Sequence, residues 1–149
     1  MEKNNLFSGY EFLNHPADVW VHAWGKTFEE AIENCVYSLM ETMFEGSIIE
    51  SKITRDIVIE EETKGSLLVA FLSEFLYIFD TDYLIFNHVK IDPIITNSAG
   101  KIELHAKCQG EVFDQLKHIP DIEVKAITYS YLEINEEKNR TEIKIVYDI

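Results

Sequence analysis

The chain predicts an α+β fold, with two helices packed on a largely antiparallel sheet in a single domain spanning residues 1–149. Three observations carry this expectation. Apolar residues recur at helical spacing in two stretches, both in the first half of the chain. Period-two alternation dominates the second half. Turn signals such as "NSAG" at 97–100 separate adjacent alternating runs. Helices early and neighbouring antiparallel strands late indicate helices laid on a sheet.

In chain order, "DVWVHAWG" sets Val19, Val21 and Ala23 against Trp20, His22 and Trp24, the period of a strand, and Gly25 ends it. Thr27 and Glu30 then form a capping-box pattern, followed by Phe28, Ala31, Ile32, Cys35, Leu39 and Met43 at helical spacing. Gly46 supplies a left-handed stop. "ITRDIVIEEE" places Ile53, Ile57 and Ile59 in strand alternation. "KGSLLVAFLSEFLYIFD" gathers Leu67, Leu68, Phe71, Leu72, Phe75 and Phe79 on one side of a second helix, whose apolar content marks it as the central buried one. A strand over 83–95 ends around Pro93. Another over 101–109 turns Ile102, Leu104, Ala106 and Cys108 inward. "EVFDQLKHIPDIE" is too polar and too broken by Pro120 for a regular element. Two long strands, 124–135 and 141–147, close the chain around the charged turn "EEKNR".

A length of 149 residues is enough to bury about two-thirds of the unfolded surface. Thirteen basic side chains against 27 acidic ones leave a net charge of −14. Binding a phosphate backbone requires Lys and Arg to displace counterions. No basic run is present, so direct nucleic-acid binding is not expected. The acidic surface fits a basic protein partner, divalent cations, or solubility alone. Cys35 and Cys108 fall on apolar faces and read as buried, inert thiols rather than a disulfide. Residues 1–10 lack the apolar region of a signal peptide, and no run approaches the ~20 residues of a membrane span. The expected compartment is cytoplasmic or nuclear.

Asp18, at the mouth of a strand after a Pro-containing loop, suits a turn or cap acceptor. Asp148, near the end of the final strand, suits a solvated surface acid. If the two meet the α-carboxylate of Ile149, three negative charges share one small volume. Like charges at ~4 Å repel by about 4 kcal/mol per pair at an effective dielectric of 20. Such a cluster needs protons or a cation, and its oxygen donors suit Ca²⁺, Mg²⁺ or Mn²⁺. Lys125 in "EVKAIT" shares a strand face with Ile127 and Tyr129, where a lysine ordinarily snorkels or pairs with an acid. His118 and His15 read as hydrogen-bonded loop histidines, and His22 as structural. No nucleophile elbow, P-loop, dinucleotide fingerprint or zinc-type Cys/His spacing is present.

"NHPADVWV", "HIPDIEVKAITYSYLEI" and the closing "VYDI", in this order, resemble the archease family. The resemblance extends to "GKTFEEA" at Gly25–Ala31, Leu67–Leu68 and Gly110–Glu111, and so covers nearly the whole chain. Pro16 stands where the family more often has Thr, and Ser130 where it commonly has His. The resemblance implies a metal site formed by Asp18, Asp148 and Ile149. It also implies a functionally important lysine at Lys125, with His118 a weaker candidate for partner binding or activation. It further implies a non-enzymatic activator of the GTP-dependent RNA ligase that joins tRNA exon halves, promoting ligase guanylylation and multiple turnover. Two alternatives stand beside it: a chaperone-like or specificity-modulating partner of RNA-modifying enzymes such as a tRNA methyltransferase, and a small metal-dependent hydrolase.

Overall fold

The computed structural model describes residues 4–14 and 17–149. Its elements run β1 (Gly9–Leu13), β2 (Val19–Gly25), α1 (Phe28–Phe44), β3 (Ile53–Glu61), α2 (Lys64–Asp82), β4 (Leu84–Ile91), β5 (Ile95–Thr96), β6 (Ile102–Val112), β7 (Ala126–Glu137) and β8 (Arg140–Asp148). The α+β class expected from the periodicity is the observed one. The strands form two antiparallel sheets rather than one, β1-β2-β8-β7 and β3-β6-β4, with β5 also paired to β6.

Local chemistry starts and stops the helices. The Thr27 side chain accepts the Glu30 N–H, and the Glu30 carboxylate takes the N–H of Lys26, which closes the start of α1. Thr63 and Ser66 form the reciprocal capping box of α2. Tyr83 ends that helix in the left-handed region at φ 57°, where glycine is the usual occupant.

The expected apolar face of α1 is buried throughout. Both helices touch both sheets, but α1, not α2, is the more enclosed: 12 of its 17 residues are buried, against 6 of 19 in α2. The apolar content of α2 misleads because Tyr77 stands exposed and Phe79 only partly buried. The two helices lie parallel. Lys64 Nζ sits 5.2 Å over the Phe28 ring at their starts, and the Phe44 and Phe79 rings are 5.1 Å apart near their ends.

One strand is new and two sequence expectations shift. The short edge strand β1 carries only five residues and had no periodic signal. The alternation over 83–95 splits into β4 and β5 around Pro93, which has no N–H for the ladder. β6 runs through Gly110 to Val112 instead of stopping there. Gly110 is required by close approach, since a Cβ on it would lie 1.9 Å from the carbonyl oxygen of Ile85. The free edge of β4 and the segment after it are covered by α1. Tyr37, Glu33 and Glu29, spaced one turn apart, accept the N–H groups of Val89, Ile91 and Ile94.

Cys35 and Cys108 are free and buried, and burial pushes the Cys108 thiol up to about 12. Among the described residues, no helix is long and apolar enough to cross a membrane.

Candidate functional site

The register of the β1-β2-β8-β7 sheet brings the sequence candidates to one end of it. Val19 is opposite Tyr147, so Asp18 follows at the position facing Asp148, and Asp148 is opposite Ala126 on the other side. The Lys125 N–H donates to the Asp148 carbonyl at 2.7 Å, extending the β7–β8 ladder by one residue. Asp18 is half-buried, while Lys125, Asp148 and Ile149 are exposed. Among the described residues Lys125 has no ion-pair partner. The strand face expected to join it to Ile127 and Tyr129 is broken, because Ile127 is buried while Tyr129 faces solvent. The break comes from a bulge between Thr128 and Glu133, where Tyr131 adopts φ 56° and lays its ring 5.6 Å from that of Trp20. Ser130 is exposed within this bulge, its N–H bonded to Thr128 Oγ1.

Both helices also end at this pole. Neither has a basic residue in its last turn to offset the negative helix end, although Arg55 of β3 pairs with Asp82 at the end of α2. Carboxylates accumulate instead. Asp18, Glu41, Glu45 and Asp121 line a cavity of about 290 Å³ together with Phe12 and Trp20. The segment between β6 and β7 is strapped over the end of α1. The N–H groups of Asp121 and Ile122 donate to the carbonyls of Met43 and Thr42, and Ser47 bonds both backbone groups of Ile119.

His118 anchors the other end of that segment. Its side chain is fully buried. Nδ1 accepts the Asp114 N–H at 2.9 Å, which leaves the ring proton on Nε2 to donate to Glu111 at 3.0 Å. His118 is thus buried and hydrogen-bonded within the 113–118 turn, between Asp114 and Glu111. Glu111, matched only as half of a "GE" pair in the sequence, is the hub. Burial works against its charge, but the Glu50 N–H, Lys117 and His118 outweigh this and hold its carboxyl down at about 2. Only its placement next to a glycine hinted at a special environment. His15 and Pro16 lie outside the described residues. His22 bridges Glu11 at 2.7 Å and Glu142 at 2.8 Å, the structural role expected of it.

Among the described residues, no group of three or more His, Cys, Asp or Glu side chains could hold a metal ion. The donor set read from the sequence has two carboxylate side chains and a chain terminus. All its donors are oxygens, the chemistry of a hard divalent cation, and the strand register makes their positions neighbours.

The comparisons agree across the chain. The sequence model of the archease protein family matches residues 10–149. "Protein archease" of Methanosarcina barkeri is 36% identical over 94% of this chain and 95% of its own length. The "protein archease-like" of Dictyostelium discoideum is 35% identical, covering 94% and 93%. "Protein archease" of Pyrococcus furiosus is 40% identical over 84% of this chain and 87% of its own length. The solution structure of Methanobacterium thermoautotrophicum protein 1598 superposes with a TM-score of 0.81 at 30% identity, covering 95% of this chain and 99% of that one.

Proposed function

The chain belongs to the archease family, and from that membership we propose that it is a non-enzymatic cofactor protein of RNA processing. Its partner in this reading is the GTP-dependent tRNA-splicing RNA ligase, whose guanylylation and repeated turnover it promotes. The observation that carries the reading is the match over nearly the full length of both partners in the alignment. Convergence of Asp18, Asp148 and Lys125 at one sheet end supports it.

In this mechanism Asp18, Asp148 and the carboxylate of Ile149 would hold a divalent ion, Ca²⁺, Mg²⁺ or Mn²⁺. The ion would supply positive charge at a pole where carboxylates and two helix ends leave a surplus of negative charge. Lys125, exposed beside them, contacts the ligase or an acidic group at the junction. The surface around it is acidic, which suits a protein surface rich in Lys and Arg and does not suit bare RNA.

The test is a reconstituted ligation under limiting GTP and Mn²⁺, scored for turnovers per ligase. The wild-type chain is expected to raise turnover. Asp18→Ala and Asp148→Ala are expected to fold normally and to lose the stimulation. Full stimulation by both variants would overturn the site, and absence of stimulation by the wild-type chain would overturn the function.

A further inference from the structure

A second cavity, of about 540 Å³, lies beside the carboxylate end, separated from the first by Asp121 and Ile122. Its floor is apolar: Met43 and Phe44 from the end of α1, Leu76 and Phe79 from α2, and Val124 before β7. Its rim carries Asp80, Asp121 and Glu123 against the single ammonium of Lys125. The size is that of a cleft that encloses a small ligand or a few side chains. None of the three rim acids forms an ion pair among the described residues.

We propose that this cleft receives an apolar side chain of the protein partner, presented on a segment with arginines or lysines on both sides. The inference rests on the reading of the chain as a cofactor protein and adds how the partner is held. Two observations on the cleft itself select this occupant. The floor offers apolar side chains of the kind that anchor interface hot spots. The rim, with three carboxylates against one ammonium, selects positive charge around that anchor. A second copy of this chain is a poor occupant, because it would bring the same acidic rim and a net charge of −14 against itself. The cleft also continues directly into the proposed contact residue, since Lys125 belongs to its rim.

The experiment measures direct binding of the purified ligase by calorimetry at two salt concentrations, with the ligation assay alongside. Asp80→Lys/Glu123→Lys reverses two rim charges. Leu76→Trp fills the floor, and circular dichroism and thermal melting check that each variant folds. Expected results are a tenfold or greater loss of affinity for the double variant with a flattened salt dependence, and a similar loss for Leu76→Trp. A benzophenone side chain at position 76 is expected to cross-link to a ligase peptide with an apolar residue flanked by Lys or Arg. Unchanged affinity in both variants while the wild-type chain binds would overturn the cleft and leave the function standing. That result would also be the outcome if the cleft held a small molecule. Failure of the wild-type chain to bind or stimulate the ligase would overturn both.

Discussion

The main-chain N–H of Lys125 donates to the carbonyl oxygen of Asp148 over 2.7 Å. One backbone bond thus joins the lysine proposed for partner contact to an acid proposed for the cation, independently of either side chain. Lys125→Ala keeps the donor and is expected to change stability by no more than about 0.5 kcal/mol, while losing ligase stimulation. Lys125→Pro removes the donor and is expected to cost about 1–3 kcal/mol. Denaturant melts separate the two.

Glu111 governs acid stability. Its folded carboxyl sits at about 2, below the ordinary value of 4.5, so the stabilisation is complete above about 4.5 and is lost as pH falls toward 2. Glu111→Gln is expected to melt earlier than wild type at pH 7, by about 1–3 kcal/mol for donors left poorly matched. The difference should shrink steadily between pH 4.5 and 2. A constant gap across that window would show that the carboxylate charge is not what holds the 111–118 turn.

Glu33 has the opposite sign. Burial is the largest influence and raises its carboxyl, against the Ile91 N–H that lowers it. Its ionised form therefore costs stability, a cost absent at low pH and growing as pH rises through the raised value. Glu33→Gln keeps an acceptor for Ile91 and is expected to be neutral or stabilising at pH 7. Glu33→Ala strands that N–H and is expected to cost about 1–2 kcal/mol. Thermal melts at pH 4 and 8 distinguish them.

Two backbone positions respond in opposite directions. Gly110→Ala places a methyl 1.9 Å from a main-chain oxygen that no rotamer can avoid, and a loss of at least about 3 kcal/mol or failure to fold is expected. Tyr83→Gly relieves a left-handed helix end and is expected to gain about 0.5–1 kcal/mol, offset in part by the edge contact of Tyr83 with Phe79. Chemical denaturation reads both.

Much of this is legible in the sequence. Thr27 and Glu30 marked where α1 begins, and the inward set Ile102, Leu104, Ala106 and Cys108 fixed the face of β6, because capping and alternation are local signals. Asp18, Asp148 and Lys125 could be picked out by family resemblance, but their adjacency follows from the pairing of β2, β8 and β7, which no local pattern encodes. Glu111 was passed over for the same reason. Its partners Glu50, Lys117 and His118 come from both sides in sequence, and a lone glutamate in a strand resembles any solvated acid. The second sheet was missed because each strand pattern states which residues face inward, not which strands share a ladder.

The parallel arrangement of α1 and α2 has an effect that reaches past the molecular surface. Two aligned peptide dipoles, reinforced by acids at their tail ends, give the whole protein a permanent electrical axis. A positively charged body some tens of ångströms away exerts a torque on such an axis, so the molecule turns its carboxylate pole forward during diffusion, before any atoms touch. Productive encounters then become a larger share of all collisions, and raising ionic strength should slow association well before it loosens the finished complex.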